Sequence, residues 1–245
     1  MLGGSSEHTR VSCVTTIRRV PNGLAETSFL RAYAGRFIVF DGPDGSGKST
    51  QFRRLMDAAR EAGMTVCEVR EPGGTEVGER IRDILLDPIH TEMALRCEMM
   101  LYMASRAQLV EQRIRPALAR GELVLADRFV SSTFAYQGAA GGLPADEIMA
   151  VACAACGTPG TPGACWPDLV LVFDVDEQTA QSRLNPLLDR MEQKGAEFHR
   201  KVRSGYLDQA SRDPEHYAVI DARRDPDRVT ADMLRALEGR AARFA

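Results

Sequence analysis

The sequence contains no apolar run that approaches the roughly 18 residues needed to cross a bilayer, so we expect no membrane-spanning helix and no membrane partner. The N-terminal segment also lacks the apolar core of a secretory signal peptide. Residues 1–35 carry turn signals without regular periodicity, and we expect a flexible N-terminal extension there. A disordered leader or an upstream start codon explains this segment better than a transit peptide does.

Cysteine is too sparse for a disulfide scaffold, with six residues in a chain of 245. Cys153 and Cys156 have the spacing of metal ligands and Cys165 could add a third, but a closed zinc site needs four ligands and no histidine lies nearby. We therefore expect reduced thiols in a cytoplasmic protein. The formal net charge of -3 argues against a surface that coats nucleic acid, and we expect no nucleic-acid partner.

Short apolar runs alternate with helical patterns along the rest of the chain. The run at 169–175 is apolar almost throughout, which is typical of a strand with both faces buried. Such alternation predicts a parallel sheet covered by helices on both faces, joined by right-handed crossovers. We predict an α/β fold with a five-stranded parallel sheet, in one domain over residues 36–245. Ligands in such folds bind at the carboxyl ends of the strands.

One glycine-rich segment follows the first predicted strand and precedes a predicted helix. Residues 42–49, GPDGSGKS, match the pattern G-x4-G-K-[ST] of a P-loop. Glycines let successive backbone N–H groups converge on one concavity, and the helix turns its positive end towards it. Lys48 can reach the β- and γ-phosphates, and the Ser49 hydroxyl can bind Mg²⁺. The pattern predicts a P-loop NTPase three-layer sandwich whose ATP-binding residues are Gly42, Pro43, Asp44, Gly45, Ser46, Gly47, Lys48, Ser49 and Thr50.

Charged residues close two further predicted strands. Arg70 ends the second strand, and Asp127 with Arg128 ends the third. All three side chains are therefore expected at the carboxyl edge of the sheet. A carboxylate there can hold Mg²⁺, directly or through water, and an arginine can donate two hydrogen bonds to a phosphate. The structural alternative is a salt bridge between Asp127 and Arg128.

Four stretches in register resemble the motifs of bacterial thymidylate kinases. They are the P-loop, REPGGTEVGERIRDILL (70–86), SRAQLVEQRIRPAL (105–118) and DRFVSSTFAYQG (127–138). Together with DRMEQKGAEFHRKVRSGYLDQA (189–210), the resemblance extends from residue 36 to about residue 240. It implies Mg²⁺-dependent transfer of the γ-phosphate of ATP to dTMP, giving dTDP and ADP for dTTP synthesis. It also implies a homodimer packed through long helices, and the Met- and Leu-rich EMALRCEMMLYM fits such packing.

The resemblance also implies how the acceptor is bound. Arg70 and Arg128 would bind its phosphate, and Arg106 would donate a hydrogen bond to O4 of the base. Without such a partner, a buried charge at Arg106 would be costly. Tyr102 would stack on thymine where the family more often has phenylalanine, and a core aromatic is its structural alternative. The other implied residues are Asp44 near the sugar 3′-hydroxyl, Thr133 and Gln137 at the pyrimidine ring, Tyr136 under the sugar, and Ser132 as a lesser candidate.

The acceptor phosphate is already a charged nucleophile, so the reaction needs no general base. Catalysis then depends on positioning and on neutralising the transferring phosphoryl group. The predicted catalytic residues are Lys48, Asp127, Arg128 and an arginine finger. Lys48 is the only basic residue of the P-loop, and position 45 carries a glycine. The finger is therefore expected from a small lid at about 183–194. The resemblance favours Arg190, within its DRxE pattern, over Arg183.

Two stretches depart from the family. LNPLL (184–188) replaces the glycine- and arginine-rich sequence of related lids, and its Pro186 would stiffen the loop. CGTPGTPGACWPD (156–168) is longer than the link expected before the fourth strand. We expect residues 157–166 to form a surface insertion, to which the sequence assigns no role.

The sequence leaves two alternatives open. A deoxynucleoside kinase would need a base near the acceptor hydroxyl, and Glu71 after the second strand could serve, although Arg70 suits an acceptor phosphate better. A catalytically silent nucleotide-binding protein could share the fold. Such a protein would have no need of the full set Lys48, Ser49, Asp127, Arg128 and Arg190.

Overall fold

The computed structural model describes residues 27–183, 190–191 and 194–244. Its five strands form one parallel sheet in the order β2-β3-β1-β4-β5, which confirms the predicted fold. The strands are β1 (Phe37–Asp41), β2 (Val66–Arg70), β3 (Leu123–Asp127), β4 (Leu169–Asp174) and β5 (Tyr217–Asp221).

Helices connect the strands and cover the sheet. They are α1 (Lys48–Glu61), α2 (Glu76–Leu86), α3 (Leu95–Leu109), α4 (Arg115–Ala119), α5 (Val130–Thr133), α6 (Ala145–Cys156), α7 (Glu177–Arg183), α8 (Ala196–Arg212) and α9 (Pro226–Ala241). Two π-helical segments, Val110–Ile114 and Phe134–Ala140, follow α3 and α5 directly. In the described part of the chain, no helix combines the length and the apolar character needed to cross a membrane.

The sheet has a separate hydrophobic core on each face, as a three-layer sandwich requires. Side chains alternate between the two faces along a strand. Phe37 and Val39 of β1 therefore pack into the core beneath α3, α6 and α8. Ile38 and Phe40 pack into the opposite core, beneath α1 and α9. All four side chains are buried, which explains the continuous apolar run that predicted this strand.

A 3₁₀ helix, Thr27–Tyr33, precedes β1 and belongs to the packed domain. Leu30 and Tyr33 are fully buried in the core under α9, and the Tyr33 hydroxyl donates a hydrogen bond of 2.7 Å to the Leu237 carbonyl. The extension predicted over residues 1–35 was therefore too long at its C-terminal end. The apolar side chains of this 3₁₀ helix pack into the core although their sequence shows no clear periodicity. Residues 1–26 of that prediction lie outside the described residues.

The loop at 157–166 is held at both ends and exposed between them. The Cys165 N–H donates to the Cys156 carbonyl at 2.7 Å, and the Trp166 indole donates to the Gly157 carbonyl at 2.7 Å. Cys156 and Cys165 are buried, and this burial raises the pKa of each thiol to about 12. Within the described chain, no three His, Cys, Asp or Glu side chains are grouped closely enough to hold a metal ion. Cys156 and Cys165 pack in the core beneath α6 and anchor the two ends of the loop.

Leu30→Ala should lower the free energy of unfolding by about 2–5 kcal/mol, because it leaves a cavity in the core. Denaturant unfolding followed by circular dichroism measures this loss. Ile89→Ala is the matched control, since Ile89 is 71% exposed and its truncation should cost no more than about 0.5 kcal/mol. Equal effects of the two substitutions would show that the 3₁₀ helix is not part of the core.

Candidate active site

The carboxyl ends of the central strands meet at one edge of the sheet. Strand register places Arg70 beside Asp127, and Asp127 beside Phe40, the residue before Asp41. A cavity of about 660 Å³ opens at this edge. The predicted site residues that line it are Asp44, Gly45, Ser46, Gly47, Lys48, Ser49, Thr50, Arg70, Tyr102, Asp127, Arg128, Ser132, Thr133, Tyr136 and Gln137.

The P-loop passes between β1 and α1 with no space for side chains at two of its glycines. A Cβ at Gly42 would lie 2.5 Å from the Phe173 carbonyl oxygen, and one at Gly45 would lie 2.3 Å from the Ala180 carbonyl oxygen. Both glycines have positive φ, 129° and 76°. The loop therefore lies close to the end of β4 and to the middle of α7, in a path that only glycine allows.

Lys48 begins α1 and turns back into the loop. Its Nζ donates to the carbonyls of Gly42 and Pro43, each at 2.9 Å. Burial lowers the pKa of Lys48, and the nearby Arg128 guanidinium lowers it further. The ammonium group is thus held inside the loop by two of its carbonyls.

Asp41, the last residue of β1, is a buried residue next to the site that the sequence did not point to. Its carboxylate is fully buried and accepts three short hydrogen bonds from hydroxyl groups. The donors are Ser131 at 2.6 Å, Ser132 at 2.7 Å and Tyr206 at 2.5 Å. These donors lie on α5 and α8, so one carboxylate fixes both helices to the strand that leads into the P-loop. An acidic residue directly before the P-loop was the available signal, but its partners are far away in sequence.

Arg128 lies just after β3 with a φ of 72°, a left-handed conformation that is uncommon for a residue other than glycine. Its Nη1 donates to the hydroxyls of Ser132 and Tyr206, each at 3.1 Å. Its Nη2 pairs with Asp44, and its guanidinium lies 5.1 Å from the centre of the Tyr136 ring. Arg128 therefore does not form the salt bridge to Asp127 that was the structural alternative. The contacts hold Arg128 over the cavity.

Asp44 of the P-loop forms a charged pair with Arg128, which follows β3. Burial would raise the pKa of Asp44, but the guanidinium of Arg128 and the ammonium of Lys48 outweigh burial and lower the pKa to about 2. The second carboxylate oxygen of Asp44 accepts a hydrogen bond of 2.8 Å from the Tyr136 hydroxyl. Asp44 is therefore ionised at neutral pH and faces the residue predicted to lie under the sugar.

Asp127 lines the same cavity but lacks a partner for one oxygen. Its Oδ1 is buried and has no hydrogen-bond partner among the described residues. A buried carboxylate oxygen without a partner is costly. Hard cations such as Mg²⁺ prefer oxygen ligands, and the Ser49 hydroxyl lines the same cavity. Asp127 and Ser49, the two metal ligands predicted from the sequence, therefore suit a Mg²⁺ ion.

Arg106 lies behind the cavity wall and is 1% exposed. Its Nε and Nη2 donate to the Glu71 carboxylate at 2.8 and 2.5 Å, and its Nη1 donates to the Thr133 hydroxyl at 3.2 Å. Burial raises the pKa of Glu71, and the Arg106 guanidinium opposes that shift. Glu71, considered from sequence only as a possible base, is thus the partner that makes a buried arginine tolerable. Tyr102, half-buried on the same helix, lines the cavity.

Two arginines of α2 and β2 form the outer rim. Arg70 donates to both oxygens of Glu79, at 3.0 and 2.8 Å, with about half of its side chain exposed. Arg82, which the sequence reasoning missed, lines the cavity and donates to the Pro72 carbonyl at 2.9 Å. An exposed ion pair such as that of Arg70 contributes little stability, so a phosphate can replace its carboxylate at small cost.

The two arginines considered for the lid lie in different places. Arg183 ends α7, lines the cavity and donates to the Ala222 carbonyl at 2.9 Å. Arg190 is only 10% exposed, pairs with Glu98 at 2.7 Å and donates to the Leu85 carbonyl at 2.7 Å. In this arrangement Arg183 is the one beside the P-loop. The LNPLL stretch with Pro186 lies outside the described residues.

Comparison with known proteins agrees with this arrangement. The family model described as thymidylate kinase matches residues 40–233. A thymidylate kinase of Pelotomaculum thermopropionicum is 46% identical over 207 residues, covering 83% of this chain and 93% of the relative. One of Deinococcus radiodurans is 43% identical over 210 residues, covering 84% and 98%. The crystal structure of thymidylate kinase from Ehrlichia chaffeensis superposes with a TM-score of 0.67 at 28% identity, covering 83% and 98%.

The matched region contains the P-loop from Phe40 onwards, both strand-end arginines and α3. The relatives are covered almost completely, so the likeness extends over the whole domain rather than over the nucleotide loop alone. The cavity, the strand order and the matched sequence all lead to the same conclusion. This chain belongs to the thymidylate kinase family.

Proposed function

We propose that the protein transfers the γ-phosphate of ATP to dTMP, giving dTDP and ADP. The observation that carries this proposal is one cavity in which Arg70 and Arg128 lie on the same strand-end edge as the P-loop lysine. A lysine in a glycine loop suits a triphosphate, and two arginines suit a second, smaller anion. Family membership supports thymidylate as that second substrate.

The chemistry requires positioning and charge neutralisation rather than a base. Lys48 neutralises the phosphates of the donor, which the amides of residues 42–50 cradle. Arg128, held by hydroxyl groups from α5 and α8, and Arg70, whose exposed carboxylate partner is readily exchanged, orient the acceptor phosphate for attack. Asp44 and Tyr136 face the sugar, with Asp44 towards the 3′-hydroxyl.

Mg²⁺ would accompany ATP, held by the Ser49 hydroxyl and by Asp127, directly or through water. When bound there, it would neutralise charge on the transferring phosphoryl group. The buried Oδ1 of Asp127, which has no hydrogen-bond partner among the described residues, supports this assignment. Among the described residues no arginine forms an ion pair with Asp127, and its neighbour Arg128 pairs with Asp44 and lies 3.6 Å from Asp41.

The base would lie between Tyr102 and the residues of α5 and its π-helical continuation. Tyr102 would stack on thymine, Arg106 would donate to O4, and Thr133 and Gln137 would contact the ring. Ser132, bonded to Arg128 and Asp41, supports the phosphate end. Selection of thymine over uracil would depend on one methyl group, which is worth about 1–3 kcal/mol in an apolar niche.

A substrate screen tests the proposal. With ATP and Mg²⁺, ADP formation should depend on dTMP and should be fastest with dTMP among dTMP, UMP, dCMP and AMP, measured by a coupled spectrophotometric assay. Faster turnover of AMP, UMP or dCMP would refute the assignment of the base pocket.

The two alternative functions receive less support from the structure. A deoxynucleoside kinase would use Glu71 as a base, but both of its oxygens accept hydrogen bonds from Arg106. Phosphorylation of thymidine in place of dTMP in the same assay would favour that enzyme. A silent binding protein would give no ADP with any acceptor.

We propose that the lid supplies the arginine finger, and the described contacts shift our preference from Arg190 to Arg183. Arg183→Ala should lower kcat about a thousandfold, because an arginine on the transferring phosphoryl group is worth about 10³–10⁵ in rate. Arg190→Ala should mainly lower stability, because it leaves the buried Glu98 with one fewer cation. Single-turnover kinetics and thermal melting separate the two effects. If Arg190→Ala caused the large loss of kcat, Arg190 would be the finger.

We also propose a homodimer packed through α2 and α3. Val77 and Ile84 of α2 and Met100 of α3 are 53%, 43% and 55% exposed, although they are large and apolar. Sedimentation should show a dimer for the wild-type protein and a shift towards monomer for Met100→Asp. Val219→Asp, on the exposed face of β5, is the control and should leave the dimer intact. A wild-type monomer at micromolar concentration would refute this interface.

A cytoplasmic location would suit the chemistry of the cysteines. The five cysteines in the described ranges are free thiols. Reducing compartments maintain thiols in this state. The formal net charge of -3 supports our expectation that small nucleotides, not nucleic acids, are the partners.

A further inference from the structure

Glu98 of α3 lies behind the base end of the cavity and is 1% exposed. Its Oε1 accepts a hydrogen bond of 2.8 Å from the side-chain Nε2 of Gln137. Its Oε2 pairs with Arg190 at 2.7 Å and with Lys194 at 3.2 Å. Burial would raise the pKa of Glu98, but the Gln137 hydrogen bond and the two cations outweigh it and lower the pKa. The carboxylate is therefore ionised.

An ionised carboxylate only accepts hydrogen bonds, whereas a glutamine amide has one donating end and one accepting end. Glu98 therefore fixes which way the Gln137 amide points, with the NH₂ group towards Glu98. The carbonyl Oε1 is left on the other side, and it accepts no hydrogen bond from any described residue. Gln137 lines the cavity, so its free group there is an acceptor.

Arg106 contributes the opposite hydrogen-bonding character close by. It donates to Thr133, which lies one helical turn before Gln137, and a guanidinium has donors only. Thr133 lines the cavity and accepts from Arg106, so its own O–H can donate there, and the wall at this end offers a donor and, one turn further, an acceptor. Thymine presents the complementary edge, an O4 acceptor beside an N3–H donor. Cytosine presents the reverse, an amino donor beside an N3 acceptor.

We propose that Glu98 is a positioning residue for base specificity, which locks the Gln137 amide so that its carbonyl accepts from N3–H of thymine and repels N3 of cytosine. This inference rests on the proposed function, because it assumes that the acceptor nucleotide binds with its base at this wall. Glu98 itself does not touch the substrate. It acts through Gln137, while its pairs with Arg190 and Lys194 keep it charged.

The test is Glu98→Gln, assayed for kcat/KM with dTMP and with dCMP. A neutral amide at position 98 can donate as well as accept, so Gln137 is free to turn its NH₂ group into the cavity. The ratio of kcat/KM for dTMP to that for dCMP should fall about tenfold or more, mainly through KM. Partial unfolding of the variant does not disturb this readout, because both rates scale equally with the folded fraction.

A double-mutant cycle with Gln137→Leu separates positioning from general damage. Gln137→Leu should lower the same ratio, and adding Glu98→Gln in that background should change the ratio no further. Glu147→Gln is the matched control, since Glu147 also pairs with an arginine of α3, Arg96, but lies outside the cavity. It should leave the ratio and both rates unchanged.

The outcomes distinguish the inference from the function on which it rests. A wild-type enzyme that prefers dTMP, with a ratio unchanged within about twofold in Glu98→Gln, would refute the positioning role alone. An equal fall of the ratio with and without Gln137 would also refute it, because Glu98 would then act by another route. A wild-type enzyme that does not phosphorylate dTMP would refute both.

Discussion

The buried carboxylate of Asp41 is the interaction on which the site depends. It joins the end of β1 to hydroxyl groups on α5 and α8, and Arg128 donates to two of the same hydroxyls. A buried charge is stable only when its hydrogen bonds are complete, so this network permits one arrangement of these elements. The P-loop and Arg128 are thereby fixed relative to each other.

Each remaining carboxylate of the site has a different task because its neighbours differ. Asp44 is paired with Arg128 and bonded to Tyr136, Glu71 holds Arg106, and Glu98 holds Gln137 and two cations. Asp127 alone among these has a buried oxygen without a partner in the described chain. Satisfied carboxylates orient other side chains, whereas an unsatisfied one is suited to a cation.

Sequence reasoning predicted the parallel sheet, the P-loop and most of the residues that line the cavity, because these depend on local patterns. It did not find Asp41 or Arg82, and it considered Glu71 as a base and not as the partner of Arg106. In each case the partners are distant in sequence. It also placed the domain boundary after the 3₁₀ helix that buries Leu30. A short segment without periodicity carries no local signal that it will pack against α9.

The sequence alone determined that a glycine loop of the P-loop type follows a buried strand, since only glycine tolerates the backbone angles and close approaches found at Gly42 and Gly45. It also determined which strand ends carry charge. The tertiary structure alone decided which charges meet: Arg106 with Glu71, Arg190 with Glu98, and Arg128 with Asp44. Ion pairs form between side chains that folding brings within a few ångströms, and separation along the chain does not encode that distance.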